Sequence, residues 1–208
     1  MKTYGQFCAL ARALDHVGDR WTLLIVRELL LGDAGYGDLL AALAGVPTNL
    51  LAERLRDLEA DGLVTRETSA ADRRRVTYRL TPLGRGLEPV VRELIVWGAH
   101  WMTTGPGDDR FEPRWAALAL AALLQGRTSQ TRGTVELRFD GGPVTVTSTA
   151  EHVVVERREP LQRADAEVEG DAALLLAIAG GHLTLGAAQR RGLRVRGDRR
   201  LVRAVLQR

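Results

Sequence analysis

The segment Val46–Val64, VPTNLLAERLRDLEADGLV, limits the possible folds of this chain more than any other stretch. Pro47 suits the first position of a helix, where its missing N–H costs nothing. Leu51, Leu55 and Leu58 then recur at helical spacing and form one apolar stripe. Gly62 stands where such a helix would stop, and Leu63-Val64 opens an extended run. At about 100° per residue, Asn49, Ala52, Glu53 and Arg56 fall on the side opposite the leucines. A short connection, Ala44-Gly45-Val46, joins this helix to the apolar run Tyr36–Leu43. Two short helices joined by a tight glycine-containing turn form a helix-turn-helix, whose second helix can enter a DNA major groove.

The flanking segments complete a small domain. Phe7–Val17 reads as a helix with Leu10, Leu14 and Val17 as its stripe. Asp19 is placed to cap the next helix, Arg20–Leu31, which is apolar nearly all round and so suits the centre of a core. After the helix-turn-helix, Leu63–Thr68 and Val76–Leu80 are strand-like, and the polar loop between them carries Arg73, Arg74 and Arg75. Two strands and a basic loop behind a helix-turn-helix make a winged helix. Thr81-Pro82 opens a further helix predicted to run to about Trp101, with Leu87, Val90, Val91, Leu94, Ile95 and Trp101 apolar. That is more apolar helix than one small domain can cover, so its surplus is expected to meet a partner subunit.

Thr103–Pro113 has the composition of a linker. Beyond it come an apolar helix at Trp115–Leu124 and strand-like runs at Thr134–Phe139, Val144–Ser148, His152–Arg158 and Ala164–Val168. Asp140-Gly141-Gly142 marks a hairpin turn. Short helices follow at Asp171–Gly180 and Leu183–Gln189, then a strand at Leu193–Val195 and a closing helix from Gly197-Asp198. The expected class is α+β, with domains at 1–105 and 113–208 joined by a linker at 106–112.

Composition narrows the function. Of 208 residues 45% are hydrophobic and 26% charged, with a net charge of +3. Residues 1–105 hold 13 Lys/Arg and 13 Asp/Glu, so the remainder carries the whole excess. Cys8 is the one cysteine, which rules out an intramolecular disulfide and fits a reducing compartment. No apolar run approaches the roughly 18 residues of a membrane span, and no signal peptide is evident; a cytoplasmic protein is expected. No His/Cys cluster, HExxH, glycine-rich phosphate loop or G-x-S-x-G occurs, so neither a metal nor a cofactor nor an enzymatic activity is expected.

The N-terminal half resembles the HxlR family of winged-helix transcription regulators across about residues 5–102. Five blocks carry the resemblance: Cys8 with ALARALDHVGDRW, then LLIVRELLLG, YGDLL, NLLAERLRDLEADGLV and VTYRLTPLG. The family usually shows Cys-Pro where Cys8-Ala9 stands. The resemblance implies a homodimer formed largely by the first and last helices. It also implies that the second helix of the helix-turn-helix reads operator DNA while the wing touches the backbone. The C-terminal half, about residues 113–208, looks like a sterol carrier protein type 2 domain, carried by ADAEVEGDAALLLAIAGG and GLRVRGDRRLVRAVL. That resemblance implies a sheet covered by helices around an apolar tunnel for lipid-like ligands.

Residue chemistry follows these expectations. Asn49 can pair bidentately with adenine and Arg56 with guanine or phosphate. Thr48 suits a phosphate at a helix N-terminus. Ala52 and Glu53 share the face, and Arg73, Arg74 and Arg75 suit the backbone. Cys8 is a candidate redox sensor through an intersubunit disulfide or an adduct. Val135, Leu137, Val144, Val146, Val153, Val155, Leu174, Leu175 and Ile178 either line a pocket for a hydrophobic effector or fill a solid core. His152, His182 and Glu136 read as surface residues. The chain is thus expected to be a dimeric repressor of double-stranded operator DNA that senses a hydrophobic small molecule. The competing reading is a lipid carrier with vestigial DNA binding.

Overall fold

The computed structural model describes residues 3–68, 76–102, 109–149, 151–157 and 163–207. Its compact units are Met1–Val91 and Arg92–Arg208. The first unit begins with α1 (Ala9–Val17), α2 (Thr22–Leu31), the two-residue strand β1 (Ala34–Gly35), α3 (Tyr36–Ala42) and α4 (Thr48–Ala60). The wing strands β2 (Val64–Thr68) and β3 (Val76–Leu80) follow, then the single turn α5 (Pro82–Arg85). Helix α6 (Glu88–Gly98) spans the junction between the units and continues as a 3-10 turn at Ala99–Trp101.

The wing is a three-stranded antiparallel sheet in the order β1-β3-β2. Val64 pairs with Leu80 and Thr68 with Val76 in β2 and β3, while Ala34 and Gly35 pair with Tyr78 and Thr77. Leu51, Leu55 and Leu58 are buried together with Ile25, Val26, Leu29 and Leu39. Each leucine taken out of water contributes roughly 1.5–3 kcal/mol, which fixes the face that α4 turns inward.

Local endings differ from the sequence reading at three places. Pro47 is the residue before α4, in extended conformation, and Thr48 holds the first helical position. Asp19 does not cap α2: the residue before that helix is Trp21, left-handed at φ 80, and the Asp19 carboxylate is taken up by Arg54. The long helix predicted from Thr81 to Trp101 is broken after Arg85, where Gly86 closes α5. At the end of α4 the expected glycine is in place. Gly62 at φ +68 donates to the Glu59 carbonyl and Leu63 donates to that of Leu58, the paired closure that a left-handed residue allows. Gly84 is needed for a different reason, since a Cβ there would collide with the Leu63 carbonyl.

Of the predicted stripe on α1 only Val17 is buried. Ala11 and Val17 are covered, whereas Leu10 and Leu14 are exposed. Tyr4 and Phe7 ahead of α1, and Val90, Leu94, Val96 and Trp97 on α6, are exposed as well.

The second unit continues with a 3-10 turn at Pro113–Trp115, α7 (Ala116–Leu124), β4 (Gly133–Arg138), β5 (Val144–Ser148), β6 (Val153–Glu156) and β7 (Ala166–Glu169). It closes with α8 (Ala172–Ala179), α9 (Leu185–Arg190), β8 (Arg194–Gly197) and α10 (Arg199–Leu206). The five strands run in the order β6-β5-β4-β7-β8, with β4 and β7 parallel and the other pairs antiparallel. Period-2 alternation gives one apolar face, Val135 and Leu137 beside Val144, Val146, Val153 and Val168, all buried. Helix α7 packs on β6 and α8, and α10 packs on β4 and β7.

Asp171, Thr184 and Asp198 cap α8, α9 and α10 through their side-chain oxygens. At the opposite ends, one guanidinium serves three helices. Arg127 Nε donates to the Leu123 carbonyl at 2.8 Å, Nη1 to that of Leu206 at 3.3 Å, and Nη2 to that of Ala179. These carbonyls are the orphan acceptors and negative poles of α7, α10 and α8. Glu136 departs from the expected surface position: it is fully buried in the central strand, with Thr145 and Glu167 opposite it. Arg138 reaches its carboxylate at 2.6 Å, and this pairing raises the Arg138 pKa.

Replacing Arg127 by Met keeps the apolar stem but leaves three carbonyls without their charged donor. The variant is expected to lose about 2–4 kcal/mol of stability, read as a lower denaturant midpoint by circular dichroism.

Candidate nucleic-acid interface

The polar side of α4 is open to solvent. Thr48, Asn49, Glu53 and Arg56 are exposed and Ala52 is half-buried. Positions 48, 49, 52, 53 and 56 occupy one continuous arc of an α-helix, away from the buried leucines. Among the described residues, the Asn49 and Arg56 side chains make no hydrogen bond or ion pair. Glu53 is drawn to Arg54 at 3.1 Å. The loop bearing Arg73, Arg74 and Arg75 lies outside the described residues; its two strands are paired to their ends at Thr68 and Val76.

Three polar contacts hold α4 along its length. At its start the Tyr36 hydroxyl donates to the Thr48 carbonyl at 2.7 Å, tying the first residues of α3 and α4 together. In its middle Arg54, with 16% of its side chain exposed, meets Asp19 at 2.6 Å and Asp57 at 2.7 Å. At its end His16 Nδ1 lies 2.9 Å from an Asp61 carboxylate oxygen. The Arg54 and His16 contacts border a cleft of about 660 Å³ between the N-terminal arm, α1 and the back of α4, lined by Tyr4, Asp15, His16, Arg54, Asp57 and Asp61. Asp15 accepts from the Tyr4 amide at 2.8 Å, which holds its carboxyl below the usual range and anchors the arm. None of Tyr36, Arg54, Asp19, His16 or Asp61 was marked by periodicity, since each acts through a partner distant in sequence.

Cys8 immediately precedes α1 and is exposed. Backbone amides of Ala11 and Leu10 lower its thiol pKa, as the positive pole of a helix favours a thiolate. In the second unit the predicted pocket residues Val135, Leu137, Val144, Val146, Val153, Val155, Leu175 and Ile178 are buried, and Leu174 is half-buried. They pack as one core beneath the helices, and Ile178 borders a cleft of about 170 Å³ with His182, Leu183 and Gln207. Among the described residues no three His, Cys, Asp or Glu side chains are grouped to hold a metal ion. Among the same residues no helix is long and apolar enough to cross a membrane.

The buried leucine stripe, the solvent-facing α4 and the antiparallel wing define a winged helix-turn-helix of the DNA-binding class. Residues 16–106 match the model of the HxlR-like helix-turn-helix family, and the chain belongs to that family. It is 36% identical over 98 residues to the HTH-type transcriptional regulator sll1512 of Synechocystis sp., covering 47% of this chain and 73% of that protein. Against the regulator YvaP of Bacillus subtilis the identity is 35% over 91 residues, covering 44% of this chain and 84% of that protein. Rv3095 of Mycobacterium tuberculosis is 40% identical over 99 residues, which are 48% of this chain and 62% of that protein. The family is one of DNA-binding transcription regulators and not of enzymes.

Two outcomes follow from this geometry. Tyr36→Phe is expected to remove about 1 kcal/mol from the first unit with little change of shape, measured by thermal unfolding. The Cys8 thiol is expected to alkylate with a pH midpoint below that of a free cysteine, because its thiolate is favoured; iodoacetamide rates across pH measure this.

Proposed function

We propose that the chain is a dimeric repressor whose α4 reads operator DNA through Asn49 and Arg56, with Thr48, Ala52 and Glu53 completing the contact face. The observation that carries this reading is the exposed arc on α4, held in place from behind by Tyr36, Arg54 and His16. Asn49 supplies a bidentate partner for adenine, Arg56 one for guanine or phosphate, and Glu53 an acceptor for cytosine N4. Arg73, Arg74 and Arg75 contact the phosphate backbone in this reading, so they add affinity and no sequence preference. Operator half-sites then mirror the two-fold axis of the dimer.

The dimer is supported by exposed apolar side chains on the first and last helices of the winged-helix half. Phe7 just ahead of α1 and Leu10 in its first turn stand out, as do Leu94 and Trp97 on α6, where an isolated chain would leave them in water. The second unit is read as a sterol-carrier-like sensor of a hydrophobic effector. Its mixed sheet with helices laid on the apolar face supports that reading, and the cleft beside Ile178 is the candidate entry. Native mass spectrometry tests it: a co-purifying apolar molecule is expected, and an empty protein in the presence of added lipid would refute the sensor. Cys8, with its lowered thiol pKa, is read as a second input; a Cys8→Ser chain is expected to stay on DNA under peroxide.

Asn49→Ala is expected to bring operator and random-sequence affinities together, costing about 1–3 kcal/mol on the operator alone. Equal losses on both duplexes in a gel shift would exclude a reading role for Asn49. Neutralising Arg73, Arg74 and Arg75 is expected to weaken both duplexes alike and to flatten the salt dependence by about 0.9 for each phosphate that is no longer neutralised.

A further inference from the structure

The positive charge of this protein is concentrated away from its winged helix. Residues 172–208 carry eight arginines, no lysine and one carboxylate, Asp198. Asp198 is occupied in capping α10, where it accepts from the amides of Arg200 and Leu201. Two of the arginines lie on the edge strand β8 and are partly compensated: Arg194 approaches Glu169 at 3.8 Å, and Arg196 pairs with Glu167 in the strand register.

Five others stand on the helical side. Arg190 ends α9, Arg191 follows it, and Arg199, Arg200 and Arg203 share the outer face of α10 opposite the buried Leu201, Val202, Val205 and Leu206. All five are at least partly open to solvent, and among the described residues none meets a carboxylate. Arg199 donates to the Gln189 side chain at 2.7 Å, which ties the end of α9 to the start of α10 without neutralising either.

Arg190 and Arg203 stand in the last turns of α9 and α10, where cations are favoured, but the start of α10 runs against the stability of the helix. Arg199 and Arg200 occupy the first turn of α10, the positive pole, where acidic residues are favoured. Adjacent cations repel one another, and among the described residues none of the five is paired with a glutamate to offset this. We propose that this arginine surface binds the phosphate backbone of duplex DNA, as a second DNA contact on the chain. The inference rests on the operator-binding reading above.

Three features select a duplex over other polyanions. Arginine forks match phosphate oxygens bidentately, and every cation here is an arginine. Residues 172–208 contain no Phe, Tyr or Trp, so the surface lacks the stacking platforms that hold single strands. The apolar residues of α10 are committed to the core, which leaves nothing to insert into a lipid surface. Such a contact would add to that of the wing arginines, because the α4 face of Thr48, Asn49, Ala52, Glu53 and Arg56 sums to zero charge. Phosphate neutralisation supplies the sequence-independent part of DNA affinity, and α4 offers little of it.

The experiment uses the full chain, with Arg199, Arg200 and Arg203 changed together to Gln, and separately Arg190 and Arg191 changed to Gln. Equilibrium binding is measured across a salt series to two short duplexes, one from the protein's own promoter region and one scrambled. Circular dichroism confirms the fold of each variant. The triple variant is expected to bind both duplexes more weakly and alike. Its slope of log K against log salt should be shallower by about 2–3, and the double variant should shift the same way. Unchanged slopes in both variants would overturn the proposal. So would a loss confined to single-stranded RNA or to phosphatidylglycerol vesicles with duplex binding intact. An Asn49→Ala chain run in parallel separates the two readings. If it leaves the preference between duplexes unchanged, the operator reading fails, while the salt slopes still decide the arginine surface.

Discussion

Everything proposed for the first unit depends on the rotational setting of α4 about its own axis. Three leucines determine which side goes inward, but a stripe of apolar side chains alone tolerates some rolling. The polar contacts remove that freedom at three heights: Tyr36 at the entry, Arg54 in the middle and His16 at the exit. Because Arg54 also holds Asp19, the approach to α2 is fixed by the same guanidinium. A side chain meant to meet a base edge has a tolerance well under the width of that edge. The hydrophobic contribution fixes the hemisphere, and the hydrogen bonds fix the angle within it.

Charge is divided between the units in a way that fits two different tasks. The exposed face of α4 carries no net charge, so in the proposed reading nonspecific attraction would not swamp the distinction among bases. In the proposed reading, attraction to phosphate comes from the wing arginines and, on the inference drawn from α9 and α10, from the second unit. Such a separation would let sequence preference and overall affinity be altered independently, the one at Asn49 and the other at Arg203.

Much of this was legible in the residues. The α4 stripe, the glycine that closes it, the two long wing strands and the helix starts at Asp171 and Asp198 all rest on short-range patterns. The exposed arc on α4 follows from helical angle alone. What escaped has a common cause, which is dependence on partners remote in sequence. Ala34-Gly35 is too short to show any period and becomes a strand only because β3 lies beside it. Asp19 has the chemistry of a cap, and only the arrival of Arg54 shows that its carboxylate is engaged elsewhere. Leu10 and Leu14 reveal an apolar side of α1 but not whether the chain covers it with its own residues. Alternation placed Glu136 on the polar face of β4, yet could not show that this part of the face is closed off from water.

The convergence of three helix termini on Arg127 has a dynamic consequence. Ordinarily the ends of separate helices fray independently, each at little cost. Here, withdrawal of α10 would take one acceptor from the guanidinium and loosen its hold on α7 and α8 at the same moment. Opening of one last turn therefore lowers the cost of opening the other two. The shared guanidinium thus couples local breathing of the arginine-bearing helix to the body of the sheet domain.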